Sequence, residues 1–152
     1  NDEIIITSAL SDELIDNLHS SISVFKSDDI KKSGSTNLQA LIDKVPNLNW
    51  AGGTSRPRYF QIRGVGERSQ YFGEGAPNFS VGFTLDDIDL SGMGMVGHTF
   101  DVGQIEIFHG AQSTIFGSNA LGGLISIRSN DPSQNFEVKS ISSIGSDGLY
   151  NF

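Results

Sequence analysis

What this chain of 152 residues can become is limited first by its eighteen glycines. Glycine reaches backbone conformations that other residues adopt only at a cost, so glycines at this density mark tight turns between short segments. No apolar run approaches the roughly 20 residues that a membrane-spanning helix requires. Hydrophobic residues make up 37% of the chain and charged residues 18%, the balance of a folded domain rather than a disordered one. The length suits one domain with a modest core.

The formal net charge is -8, which argues against nucleic acid as a partner. The arginines are nevertheless clustered: Arg56, Arg58, Arg63 and Arg68 lie close together, and Arg128 stands apart. Such a cluster is either a solvated loop or a cationic patch that meets carboxylates. The chain has no cysteine, so disulfides, thiol chemistry and zinc–thiolate sites are excluded. No secretory leader is visible; an exported protein would be in its mature form here.

The elements follow from local patterns. Asp2 to Ser8 is short, apolar and β-branched, either an ordinary edge strand or an extended segment offered to another protein's sheet. Ser20 to Lys26 alternates as a strand. Ser27-Asp28-Asp29 then offers an N-cap and first-turn acids, and Lys31 and Lys32 precede Gly34, which predicts a short helix. Thr36 and Gln39 have capping-box spacing. Leu38, Leu41, Ile42 and Val45 form one apolar helical face that Pro46 ends. Residues 49–57 read as loop.

Strands are expected over Tyr59–Arg63, Val81–Leu85, Gln104–Phe108 and Gly122–Ile127, with Asp86-Asp87 turning into Ile88–Leu90. Long glycine-bearing loops span Glu67–Asn78 and Ser91–His98. From Phe136 to Ser146 the chain alternates over a longer run, and Ser146-Asp147-Gly148 signals a turn before Leu149–Phe152. That arrangement suits the first hairpin of a large barrel. A two-stranded end has unpaired edges and little stability of its own, so the chain reads as part of something longer.

Read in order, several of these segments resemble the plug of TonB-dependent outer-membrane receptors. Asp2–Ser8 looks like a TonB box. Ser21-Ile22-Ser23-Val24-Phe25 looks like the first plug strand, and Leu38–Leu48, ending Pro46-Asn47-Leu48, like the second helix and its exit. Ile62-Arg63-Gly64 is the family's Ile-Arg-Gly motif, and Phe83–Leu90 resembles its Tyr-Val-Asp-Gly-Val hairpin. Ile105–Gly117 resembles the Val-Glu-Val-Leu-Arg-Gly-Pro-Gln-Ser-Thr-Leu-Tyr-Gly signature, closed by Ala120–Ile127. One such piece would be weak, but an ordered set is specific.

The resemblance implies an α+β fold: a small mixed β-sheet plug with short helices and long glycine-rich loops, followed by the first hairpin of a truncated transmembrane β-barrel. It divides the chain into a TonB box and extended segment (1–10), a plug domain (11–132) and the start of a barrel (133–152). It implies a gate in the bacterial outer membrane that fills a barrel of about 22 strands. No enzymatic activity and no cofactor are expected. The partners would be TonB with its inner-membrane energising complex, the chain's own barrel, and a small ligand such as a metal chelate, vitamin or glycan.

The residues of each role follow. Glu3, Ile4, Ile5, Ile6 and Thr7 would add to TonB as a strand. Arg63, Glu106 and His109 would lock plug to barrel. The family has arginine where this chain has His109, and histidine carries that charge only when protonated. Ala111 replaces a proline, and Asp87 a glycine, at a turn that aspartate tolerates. The loops Glu67–Phe79 and Ser91–Phe100 would face the ligand with Tyr71, Phe72, Glu74, Phe79, Ser91, Gly92, Met93, Met95 and His98, or would pack against barrel loops.

Other chemistries fit poorly. Gly92–Gly97 matches G-x-G-x-x-G, but a strand-like run follows where a dinucleotide fold needs a helix. No Gly-x-Ser-x-Gly elbow is present. His19, His98 and His109 lack metal-ligand spacing, and Asp86, Asp87 and Asp89 lack the calcium-loop pattern and read as a solvated turn. The competing class is a soluble periplasmic binding module without a barrel, against which the run from Phe136 to Phe152 argues.

Overall fold

The computed structural model describes residues 5–6, 13–14, 21–34, 38–52, 59–67, 79–93, 99–112, 117–140, 142–148 and 150–151. Near the N-terminus, β1 (Ile5–Ile6) pairs antiparallel with β2 (Glu13–Leu14). Then follow β3 (Ser21–Lys26), α1 (Ser27–Lys32), α2 (Gln39–Ile42), β4 (Leu48–Ala51), β5 (Tyr59–Ile62) and β6 (Val65–Gly66). The second half holds β7 (Val81–Leu85), β8 (Ile88–Asp89), β9 (Val102–His109) and β10 (Gly123–Ser129), then β11 (Ser143–Ile144) and β12 (Tyr150–Asn151).

The central sheet has five strands in the order β3-β9-β10-β7-β8, and β4-β5-β6 form a separate three-stranded sheet. β10 runs parallel to β7 and antiparallel to β9, so the sheet is mixed. This is the expected α+β fold of a mixed sheet with short helices and long loops. β9 and β10 lie inside the sheet and are covered on both faces, which explains their nearly continuous apolar run. On one face Ile105, Ile107, Ile125 and Ile127 pack with Ile30 of α1, with Leu41 and Ile42 of α2, and with Phe60 and Ile62 of β5. Phe60 and Phe83 stack across this interface at 5.8 Å. On the other face Phe108 and Leu124 meet Ile6, with Ile22 and Val24 beside them.

The helical expectations hold in part. α1 forms, but its N-cap is Lys26 and Ser27 is its first helical residue. Gly34, at φ +64, supplies the left-handed residue that ends it. The apolar face of Leu38, Leu41, Ile42 and Val45 is buried as the spacing predicts. Regular helix, however, spans only Gln39–Ile42. Lys44 and Val45 donate to Leu41 and Ile42, three residues back. The last turn is therefore wound tighter before Pro46, because a residue preceding proline is driven out of the helical region. Thr36 lies outside the described residues.

Two strand expectations are corrected. Asn49–Ala51, read as loop, belong to the strand Leu48–Ala51, which pairs with β5, Trp50 opposite Phe60. The run from Phe136 to Ser146 is not one strand. Residues 136–140 join no ladder, Phe136 is 95% exposed, and pairing is confined to Ser143 with Asn151 and Ile144 with Tyr150. An alternating strand gains its stability from neighbours on both edges, and a lone hairpin lacks them. The strands expected over Ser20–Lys26, Tyr59–Arg63, Val81–Leu85, Gln104–Phe108 and Gly122–Ile127 fall within two residues of expectation, whereas β2 and β6 are not anticipated. Asp86 and Asp87 take φ +48 and +65, the mirror-image hairpin turn that joins β7 to β8.

Candidate functional site

Three groups of residues were singled out from sequence, and the structure treats them differently. Of the N-terminal group, Glu3, Ile4 and Thr7 lie outside the described residues. Ile5 and Ile6 are paired with Leu14 and Glu13, and Ile6 is fully buried between Phe108 and Leu124. The segment is docked on the second face of the central sheet. Its apolar β-branched character was legible in the sequence, but its docking partner was not.

The lock residues separate by the parity of β9. Successive strand residues face opposite sides. His109 shares the face of Ile105 and Ile107, while Glu106 and Phe108 share the other. Glu106 is wholly buried and accepts a hydrogen bond from Gln104 Nε2 at 2.7 Å. Arg63 belongs to the β5–β6 turn, where it and Gly64 take φ +53 and +82. Its backbone N–H donates to the Asn47 carbonyl at 2.9 Å. Its guanidinium lies within electrostatic range of His109. Burial first, and Arg63 second, lower the pKa of the His109 ring below the usual histidine value. The ring is hydrogen-bonded through Nε2 to Ser23 Oγ at 3.0 Å. The structure thus places Arg63 within electrostatic range of His109 and sets Glu106 on the other face of the sheet.

Of the loop group, Tyr71, Phe72, Glu74, Met95 and His98 lie outside the described residues. Phe79 stacks on Tyr59 at 6.2 Å, and Gly92 lies so close to the Phe79 ring that a Cβ would collide with it. Ser91 is engaged within the chain: its N–H and Oγ donate to Asp89 Oδ1, and Oγ accepts from the Phe83 N–H at 3.1 Å. Met93 is 52% exposed and is the member of the group turned to solvent among those described.

Sequence reading missed the ties at the base of these loops. The Glu67 carboxylate accepts from the Ser80 N–H at 2.9 Å and from Ser80 Oγ at 2.7 Å, clasping the two ends of the stretch between them. Ser80 O in turn accepts from the Gly122 N–H at 2.6 Å. The aspartates read as a solvated turn are exposed but engaged. Asp86 accepts from the Ser129 N–H and hydroxyl, and Asp87 pairs with Arg128 at 2.9 Å. No sequence spacing connects such partners, which lie up to 43 residues apart. Among the described residues no cluster of His, Asp or Glu could hold a metal ion.

The sequence profile described as TonB-dependent receptor plug domain matches residues 15–124. The chain belongs to this family. Solved receptors share the fold. The ferric yersiniabactin uptake receptor FyuA of Yersinia pestis aligns with 76% of the chain at 24% identity and a TM-score of 0.62. The alcaligin outer-membrane receptor FauA of Bordetella pertussis aligns with 87% at 18% identity and 0.64. The siderophore receptor PiuA of Acinetobacter baumannii aligns with 81% at 23% identity and 0.63. The chain spans 18%, 22% and 16% of these receptors, a fifth or less in two cases and little more in the third. Against this family the mixed sheet is the plug's sheet.

Proposed function

We propose that this plug is the gate of an active importer in the bacterial outer membrane. It fills the lumen of its own barrel, contributes loops to ligand capture, and couples through residues 3–7 to TonB and the inner-membrane complex that energises it. The observation that carries this reading is the family match over residues 15–124 on a sheet of the plug's mixed topology. A wide barrel leaves an open lumen, and a packed domain with polar, loop-rich ends is what closes it.

Two features support the details. Ile5 and Ile6 already form strand pairs, so the same backbone can exchange its ladder for one with TonB. Arg63 keeps a left-handed backbone that glycine or asparagine would adopt at lower cost, which argues that its side chain is wanted there, as the lock to a barrel carboxylate. Glu106, on the other face, supports the sheet rather than the same contact. The ligand favoured is a metal chelate, since similar solved receptors are named for siderophores; a vitamin or glycan is the remaining class.

The test is fractionation. An antibody against this chain should find a large outer-membrane band whose gel mobility shifts on heating, as a barrel unfolds. A band of the chain's own size in the soluble periplasm would instead establish a free-standing binding module.

A further inference from the structure

The second face of the central sheet carries a row of polar side chains that the gate reading does not use. Asp89 of β8 lies opposite Thr84 of β7, Thr84 opposite Ser126 of β10, and Ser126 opposite Glu106 of β9. Directly opposite residues share a face, so these four form one row across four strands. Alternation sets the row on the side of Phe108 and Leu124, since Phe83, Ile125 and Ile107 pack on the first face. The outer end, Asp89, is exposed and accepts a hydrogen bond from Asn119 Nδ2 at 3.0 Å. The row then runs inward: Thr84 is 4% exposed, and Ser126 and Glu106 are wholly buried. Thr84 Oγ1 has no hydrogen-bond partner among the described residues. The next row on this face is apolar, with Leu124 opposite Phe108 and Phe108 opposite Ile22, and Ile6 packs on it.

We propose that Thr84, Ser126 and Glu106 form a seat for ordered water, the inner end of a polar track that enters the second face at Asp89 and stops at Ile6. A buried hydroxyl left without a partner costs free energy, and folded proteins rarely keep one. Neighbouring strands lie about 4.8 Å apart. Two short hydroxyl side chains on opposite residues are too far apart for a good direct bond, and one water spans the gap with two bonds of about 2.8 Å each. A buried water needs about two to four polar partners. Thr84 Oγ1 supplies one, and Ser126 Oγ and the Glu106 carboxylate each have lone pairs for more than one bond. Leu124 and Phe108, one row further on, offer water no partner, and Ile6 covers them. Withdrawal of β1 would remove that stop, so water would advance along this face and not along the first, whose core is apolar throughout. That consequence rests on the coupling role proposed for the N-terminal segment; the seat itself does not.

The experiment is water–protein cross-relaxation by NMR on the intact chain, in the parent, Thr84→Val and Ile6→Ala. In the parent a long-lived water should give a signal at the Thr84 methyl and the Ser126 β-protons, and none at the Leu124 methyls. Thr84→Val keeps the shape of the side chain and deletes its hydroxyl. It should abolish the signal at Ser126 and lower the folded-to-unfolded ratio in denaturant titration about fivefold, the worth of one hydrogen bond. A dry, unpartnered hydroxyl predicts the reverse: no water signal at Thr84, and a Thr84→Val chain at least as stable as the parent. Either of those results overturns the seat. Ile6→Ala should extend the water signal to the Leu124 methyls; methyls that stay dry overturn the role of Ile6 as the stop. Should Thr84→Val fail to fold, the parent's signal at Thr84 decides the matter. These outcomes do not depend on a barrel, whose presence the fractionation tests separately.

Discussion

Truncating Ile6 to alanine should release the N-terminal segment without unfolding the plug. Ile6 is fully buried against Phe108 and Leu124, while β1 is otherwise held by a ladder of two residue pairs. Burying an isoleucine side chain contributes about 1.5–3 kcal/mol. Each ladder hydrogen bond adds about 1 kcal/mol, and ordering each residue costs about 1–2 kcal/mol. The hydrogen bonds and the ordering cost roughly cancel, so the side chain decides whether the segment docks. A buried Ile→Ala change costs about 2–5 kcal/mol where the structure cannot yield. Here the segment can detach, and even about 2 kcal/mol lowers the docked-to-undocked ratio roughly 25-fold. Strand addition uses the backbone, which alanine preserves. Amide exchange should therefore show lost protection at Ile6. Calorimetry should show tighter binding of a TonB C-terminal domain, by up to the same factor. The unfolding midpoint of the central sheet should be unchanged. Unchanged protection at Ile6, or a loss of sheet stability with no gain in TonB affinity, would refute the reasoning.

Three further outcomes are expected. Ile5→Pro, which removes a strand donor, should abolish TonB-dependent uptake while leaving ligand binding at the cell surface intact; normal uptake would exclude Ile5 from the coupling strand. Gly123→Ala should destabilise by about 1–3 kcal/mol in denaturant titration, because Gly123 holds φ +153 and its Cβ would strike the Phe108 carbonyl and Ile62. A negligible change would mean that the joint between the sheets is loose. Burial alone would raise the pKa of Asp89, but hydrogen bonds from Ser91 and Asn119 outweigh it and hold the carboxyl below its usual range. Its stabilisation is therefore present above about pH 4 and is lost as pH falls through the lowered value. Asp89→Asn should be less stable than the parent at neutral pH and approach it in acid. A difference constant across that range would show that the carboxylate charge is not involved.

Much of the sheet was legible because its signals are local. β7 ends at Leu85 where Asp86-Asp87 supply the two left-handed residues of a hairpin turn. The buried face of Leu38, Leu41, Ile42 and Val45 follows from helical spacing alone. β4 escaped because Leu48–Ala51 is short and becomes a strand through pairing with β5, a partner whose register no local pattern announces. The Phe136–Ser146 alternation yields strand pairing only next to its turn, at Ser143 and Ile144. A strand pattern states which face would be buried, but Phe136 and Val138 meet nothing that buries them.

The candidate site divides in the same way. The identity of Arg63 and His109 as a pair of interest came from motif order. That Arg63 lies within electrostatic range of His109, with Glu106 on the other face, came from the parity of β9 and the way the β5–β6 turn folds. The amino-acid sequence by itself determined the family, most strand positions and the turns, because motif order, alternation and turn chemistry act over a few residues. Only the tertiary structure decided that Ile6 is docked, that Glu67 clasps Ser80, and that Arg63 lies within electrostatic range of His109. Burial and charge depend on distance in space, and residues far apart along the chain become neighbours only when the sheet is assembled.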